Sequence, residues 1–175
     1  MHEETLIKKL NWFYTLEKTQ VENYLAQSKA MDDKYLKSAL QRVALIEEKH
    51  VDNIQGIIIS LGHTPTLLGD VLSPIIGMSM GKLLGLTEIT TMMKLNIKVE
   101  AKAATDYAAL INQLSESGGD RGILHTLRLN MVDEDMHSSW FAHVIRYAHD
   151  LEVPLSKVLS RELELGLENG GWGRE

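Results

Sequence analysis

The chain has 175 residues, 44% of them hydrophobic and 24% charged, with a formal net charge of -6. That length suffices for one domain with a sizeable core, and an acidic balance without a basic cluster argues against nucleic acid as a partner. The absence of cysteine excludes disulfides, cysteine-ligated zinc and a rubredoxin-type iron centre, and fits a reducing compartment. The opening Met1-His2-Glu3-Glu4 lacks the basic-then-apolar profile of a signal peptide, so a cytoplasmic location is expected. Three prolines beside abundant Leu, Ala, Lys and Glu favour helix over sheet.

In chain order, Leu6 to Ala30 reads as a first helix, with Leu10, Phe13, Tyr14, Glu17, Val21 and Leu25 at helical spacing. Asp32 or Asp33 can cap a second helix reaching about Leu61. Its inward stripe is Leu36, Leu40, Val43, Ala44, Glu47, Val51, Ile54 and Ile58, and Gly62 and Pro65 close it. An apolar segment follows from Thr66 to Leu86, with Pro74 inside it and Gly77, Gly81 and Gly85 at every fourth residue. It is too short between Asp70 and Lys82 to span a bilayer. It reads as a crossover between two helix pairs, or as a surface that rests on a membrane or a partner.

A third helix is expected from about Thr87 to Ser115, with Ile89, Met93, Asn96, Glu100, Ala104, Tyr107 and Ile111 facing inward. The turn Ser117-Gly118-Gly119-Asp120 leads to a fourth, to about Asp150, presenting Leu124, Leu127, Met131, Glu134, His137, Ser138, Phe141, Ile145 and Ala148. A short helix after Pro154 and a flexible tail over 169–175 complete the reading. Residues 1–168 are thus expected to form a single domain, an all-α four-helix bundle.

One motif occurs twice: Glu47-Glu48-Lys49-His50 and Glu134-Asp135-Met136-His137 each contain Glu-x-x-His. A lone inward glutamate precedes each copy, Glu17 by 30 residues and Glu100 by 34. Positions i and i+3 share a helix face, so each Glu/His pair can reach one metal together. Four helices carrying Glu, Glu-x-x-His, Glu and Glu-x-x-His compose the ligand set of a di-iron carboxylate bundle. Carboxylates with imidazoles suit iron or manganese, and cations let such carboxylates stay ionised in an apolar core. The expected ligands are therefore Glu17, Glu47, His50, Glu100, Glu134 and His137, holding two iron ions, with manganese as the alternative.

Glu22 competes with Glu17 for the first-helix position, but Glu17 aligns with Leu10, Phe13 and Val21. Glu48, Asp133 and Asp135 point about 100° away from the motif glutamates and read as outer or surface groups. Tyr107, two turns after Glu100, is the candidate catalytic side chain, as a hydrogen-bond donor or relay; packing in the core is the competing role. Tyr14 carries the same two readings. His2, His63, His125, His143 and His149 lack a carboxylate at ligand spacing, and the eight methionines read as core filling.

On these residues the chain resembles the ferritin-like superfamily, and within it the demethoxyubiquinone hydroxylases, the di-iron monooxygenases of ubiquinone synthesis. The resemblance runs from Leu10 to Ala148. It rests on the ligand order and spacing, on Val99-Glu100 with Tyr107 seven residues later, and on the apolar Gly-rich stretch before the third helix. Rubrerythrins are the second resemblance. They usually carry a further glutamate one turn before the third-helix ligand, where this chain has Ile97.

The hydroxylase resemblance implies oxygen activation and hydroxylation of an apolar, quinone-like substrate entering beside 74–86. It also implies peripheral contact with the inner membrane through 66–86, while the lack of cysteine means that electrons come from an external donor or from the substrate itself. A homodimer is expected. The competing function is a ferroxidase or peroxidase, acting on iron and peroxide without an organic substrate. A third reading is a bundle that merely carries buried carboxylates.

Overall fold

The computed structural model describes residues 1–68 and 89–150, and side chains as far as 146. Its described elements are helices: α1 (Glu3–Ala30), α2 (Lys34–Ser60), α3 (Ile89–Glu116) and α4 (Arg121–Asp150). Their ends follow from local chemistry. Asp33, of the two capping candidates, accepts the Leu36 N–H at 2.9 Å and so satisfies one of the free donors of the first turn of α2. Gly62 takes a φ of 81° after α2. There the His63 N–H reaches the Ile58 carbonyl at 3.1 Å and the Gly62 N–H the Ile59 carbonyl at 2.9 Å, a Schellman closure. Gly118, at φ 70°, repeats this after α3. Asp120 then opens α4 by accepting the N–H groups of Gly122 and Ile123 at 2.8 and 3.0 Å.

The short connections make α1–α2 and α3–α4 antiparallel pairs, and α2 also packs on α4. Two apolar clusters fill the bundle. One gathers Leu10 and Phe13 of α1, Ile54 and Ile58 of α2, Leu110 of α3 and Leu127 of α4. The other gathers Tyr24, Leu40, Met93 and Phe141. The first thus takes the start of α1, the ends of α2 and α3, and the start of α4. α2 and α3 therefore run in the same direction, and the connection between them joins opposite ends of the bundle, as in ferritin-like crossover topology. On every helix the paired-motif residues fall between the two clusters, in a polar layer at mid-bundle.

The inward stripe of α1 differs from the expected one. Leu25 is 39% exposed and Val21 half-buried, whereas Leu16, Gln20, Tyr24 and Gln27 are buried. Steps of four residues over-rotate by about 40° each on a 3.6-residue helix, so 17-21-25 winds off the core while 17-20-24-27 stays on it. Tyr14 is also only half-buried, with its hydroxyl 3.5 Å from Gln55 Oε1. Ile89, expected inward, is exposed at the start of α3. Val51, Ala104, Met131, Ser138 and Ile145 lie half-buried at the edges of their stripes. Two buried amides pair across the bundle: Gln27 and Asn96 exchange hydrogen bonds of 3.0 and 2.8 Å between α1 and α3. Among the described residues no helix is long and apolar enough to cross a membrane. The expected Gly-rich crossover, the inward Ala148, the last short helix and the tail lie outside the described residues or side chains.

Candidate metal centre

The mid-bundle layer brings together all six expected ligands. Glu17, Glu47, Glu100 and Glu134 are completely buried, and His50 and His137 nearly so. Each helix delivers its share because the motif residues occupy core positions of the 3.6-residue repeat. His50 Nδ1 lies 3.0 Å from Glu47 Oε2, 3.0 Å from Glu134 Oε1 and 4.0 Å from Glu17 Oε2. His137 Nδ1 lies 3.0 Å from Glu47 Oε1 and 3.8 Å from Glu100 Oε2. Two overlapping sets result, Glu17-Glu47-His50-Glu134 and Glu47-Glu100-Glu134-His137, with the donor atoms of each within 4.8 Å of one another. Glu47 and Glu134 belong to both.

Few of these approaches are aligned as hydrogen bonds. Glu17 Oε2, Glu47 Oε1, both Glu134 oxygens and both His137 nitrogens are buried without a partner. Buried polar atoms are rarely left this way, since each costs about 1–3 kcal/mol. Buried donor atoms that converge on shared points without aligned hydrogen-bond partners suit cations, and oxygen with imidazole donors suits iron or manganese. The residues present therefore fit a metal pair.

The electrostatics agree. Burial, then the neighbouring Glu47 charge, pushes Glu134 well above the usual carboxylate range. Burial and Glu47 do the same to Glu17, against a lowering hydrogen bond from Tyr107. Burial also acts to raise Glu47, but His137 and His50 outweigh it and bring its pKa down to about 2. For His137, burial opposes the charge, yet Glu100 and Glu47 lift it to about 10. The apo cluster thus relieves its excess negative charge by keeping protons, and bound cations would take their place.

Outer groups tie the ligands down. The Tyr107 hydroxyl donates to Glu17 Oε1 at 2.5 Å and accepts from Asn130 Nδ2 at 3.1 Å. Its ring stacks on Phe13 at 4.0 Å between centroids. Tyr24 donates to Glu100 Oε1, and Gln20 Nε2 reaches Glu100 Oε2 at 3.1 Å. Burial, then a nearby glutamate, raises both phenols well above their ordinary value, so both stay protonated donors. Tyr24 and Gln20 were not anticipated from the sequence. The signal was present, because Tyr24 follows Glu17 by seven residues as Tyr107 follows Glu100. Each tyrosine serves the lone glutamate of the opposite half. Asp133 Oδ2 meets His50 Nε2 at 3.2 Å, the outer role open to it from its helix position. Glu22, Glu48 and Asp135 are exposed, and His63 pairs with Glu3 at the surface.

The family described as Ubiquinone biosynthesis protein COQ7 matches residues 17–161, a span that holds every member of this cluster. The chain belongs to this family. The COQ7 family is the first of the two resemblances drawn from the sequence, ahead of the rubrerythrins. The fold agrees: the bacterioferritin of Desulfovibrio desulfuricans superposes with a TM-score of 0.70 at 18% identity, over 85% of this chain and 82% of that one. That bacterioferritin has a diiron site, solved in different catalytic states. No curated protein sequence matches significantly. COQ7 membership and the buried Glu/His cluster together mark this layer as a candidate metal site whose donors suit iron.

Proposed function

We propose that the chain is a di-iron monooxygenase that hydroxylates an apolar, quinone-like substrate in ubiquinone synthesis. The observation that carries the reading is the cluster of four buried glutamates and two imidazoles in two overlapping sets, in a chain of the COQ7 family. Glu47 and Glu134 would be shared between the two ions. Glu17 with His50, and Glu100 with His137, would complete one ion each. Iron held there would supply the chemistry of dioxygen activation, and an external donor would provide the electrons, since the chain has no cysteine for an iron–sulfur or rubredoxin relay.

The protein's own residues supply position and exclusion. Tyr107 and Tyr24 hold Glu17 and Glu100 in place across the bundle, and their protonated hydroxyls add no charge. The two apolar clusters above and below the layer keep water away, which strengthens every interaction inside it. A cavity of about 540 Å³ opens between α1 and α3, lined by Trp12, Phe13, Leu68, Ala109 and Leu110 among others. Phe13 forms its wall and stacks on Tyr107, so an apolar ring in the cavity would lie one side chain away from Tyr107 and Glu17. This cavity supports entry beside α1 and α3. Peripheral contact with a membrane, and a homodimer, remain part of the proposal.

The test is single-turnover hydroxylation. The protein is loaded with ferrous iron without oxygen, mixed with a demethoxyquinone and a chemical reductant, and exposed to ¹⁸O₂. Incorporation of one labelled oxygen into the quinone is expected. Rapid iron oxidation with no labelled quinone would point instead to a ferroxidase.

A further inference from the structure

We infer that the two metal positions are unequal, and that the ion held by Glu17, His50 and the two shared glutamates binds first and more tightly than the ion held by Glu100 and His137. This rests on the two-metal reading above and adds an order to it.

The two halves of the chain repeat each other, so position-by-position comparison shows where the symmetry breaks. Glu17 and Tyr24 correspond to Glu100 and Tyr107, and Glu47-x-x-His50 corresponds to Glu134-x-x-His137. Two polar side chains that touch ligands have no counterpart. Asp133 precedes Glu134, but Ile46 precedes Glu47. Gln20 follows Glu17 by three residues, but Ala103 follows Glu100.

Both departures favour the same position. Both imidazoles turn Nδ1 toward the carboxylates, so a metal would take Nδ1 and leave the proton on Nε2. His50 Nε2 then donates to Asp133 Oδ2 at 3.2 Å. A carboxylate there locks the tautomer and ring orientation and makes the imidazole a better donor to the metal. His137 Nε2 is buried without a partner, so its N–H is left without an acceptor whenever Nδ1 is engaged. The glutamates differ in the same direction. Glu17 has one oxygen held by Tyr107 and the other, Oε2, unpartnered. Glu100 has both oxygens hydrogen-bonded, by Tyr24 and by Gln20. Acceptor sites on both oxygens are thus engaged before any cation arrives, so fewer lone pairs remain open to a metal. One position thus combines a free carboxylate oxygen with a supported imidazole, and the other combines a satisfied carboxylate with an unsupported one.

Asp133 is therefore a positioning residue. Its side chain is 42% exposed, so replacing it does not open the core. Manganese(II) titrated into the full metal-free chain, followed by electron paramagnetic resonance, reads the order directly. An isolated manganese ion and a spin-coupled pair give different spectra. The isolated signal should dominate up to one equivalent per chain, with the coupled signal appearing only in the second, at least about 10-fold weaker, step. Asp133→Asn should weaken the first step by about 10- to 100-fold and bring the coupled signal in below one equivalent, while Asp133→Glu should restore the stepwise pattern. Gln20→Leu should tighten the second step. A purely structural role for Asp133 would lower the melting temperature without changing the ratio of isolated to coupled signal, and that result overturns the inference. Coupled pairs from the first addition in the parent chain overturn the inequality alone, whereas failure of a second ion to bind at any concentration overturns the two-metal reading with it.

Discussion

Replacing Glu134 by leucine should make the metal-free protein more stable and the metal site useless. Glu134 is fully buried, has no hydrogen-bond partner for either oxygen, and has its pKa pushed up by burial and by Glu47. Each of those facts is a cost of folding, against which stands the approach of His50 Nδ1 to Oε1 at 3.0 Å. Exchanging a buried polar group that lacks hydrogen-bond partners for an apolar side chain of similar size removes a desolvation cost of about 1–3 kcal/mol. For a chain of this size each kcal/mol moves the melting temperature by about 2–4 °C. In the presence of a chelator, Glu134→Leu should therefore melt several degrees above the parent by circular dichroism. Glu134 also belongs to both donor sets, so the same variant should lose both ions by elemental analysis. Leu127→Ala, in the apolar cluster, should do the reverse, costing about 2–5 kcal/mol while leaving metal content unchanged. A metal-free Glu134→Leu protein less stable than the parent would refute the reasoning, because the carboxylate would then be serving structure rather than metal.

The other expected outcomes concern neighbouring groups. Glu22 is exposed on α1, so Glu22→Ala should leave metal stoichiometry unchanged, and lost iron would move the α1 ligand away from Glu17. Tyr24→Phe strips the donor from Glu100 Oε1 in the core and should cost about 1–3 kcal/mol in urea unfolding of the metal-free protein. Tyr14→Phe, which removes a hydroxyl that meets Gln55 at 3.5 Å from a half-buried position, should cost little, and equal losses would contradict the assignment. Stability of the metal-free protein should fall between about pH 5 and pH 9. Glu17 and Glu134 have raised folded-state pKa values, so their contribution is full below 4.5 and is lost as pH climbs. His137, raised to about 10, loses its contribution from 6.5 up to that value. Glu47, lowered to about 2, acts oppositely and only in strong acid. A divalent metal should flatten the profile, and chelator-treated protein whose unfolding midpoint rises over this range would contradict the electrostatic account.

Much of this site was legible because a carboxylate buried at helical spacing is costly unless a cation or a proton compensates its charge. Glu17, Glu47, Glu100 and Glu134 each interrupt an apolar stripe, and the Glu-x-x-His repeat ties them into two halves. The hairpin ends were equally readable, since Asp33, Gly62, Gly118 and Asp120 each do one local job. What escaped were the residues whose role depends on rotation over many turns. Leu25 looked inward because four-residue steps were counted from Glu17, and the drift that exposes Leu25 is the same drift that buries Tyr24. Gln20 and Gln27 resemble surface residues by composition alone. Only the helix opposite, with Glu100 and Asn96 at the right height, makes them core residues. Tyr14 and Tyr107 had similar claims from spacing, and the packing of α3 against α1 gave the Glu17 hydrogen bond to Tyr107. The cavity beside Phe13 is a property of two helices together and has no signature in either alone.

The central claim is a pair of metal ions held by six side chains, and metal stoichiometry tests it most directly. The chain is loaded anaerobically with ferrous iron, freed of excess, and analysed for iron per chain, then exposed to oxygen while its optical spectrum is recorded. Two irons per chain, with an oxo-bridged ferric band growing in on oxidation, is the expected result. Less than one iron per chain in a protein that keeps its helical content would contradict the account, and would make the buried glutamates a structural feature of the bundle.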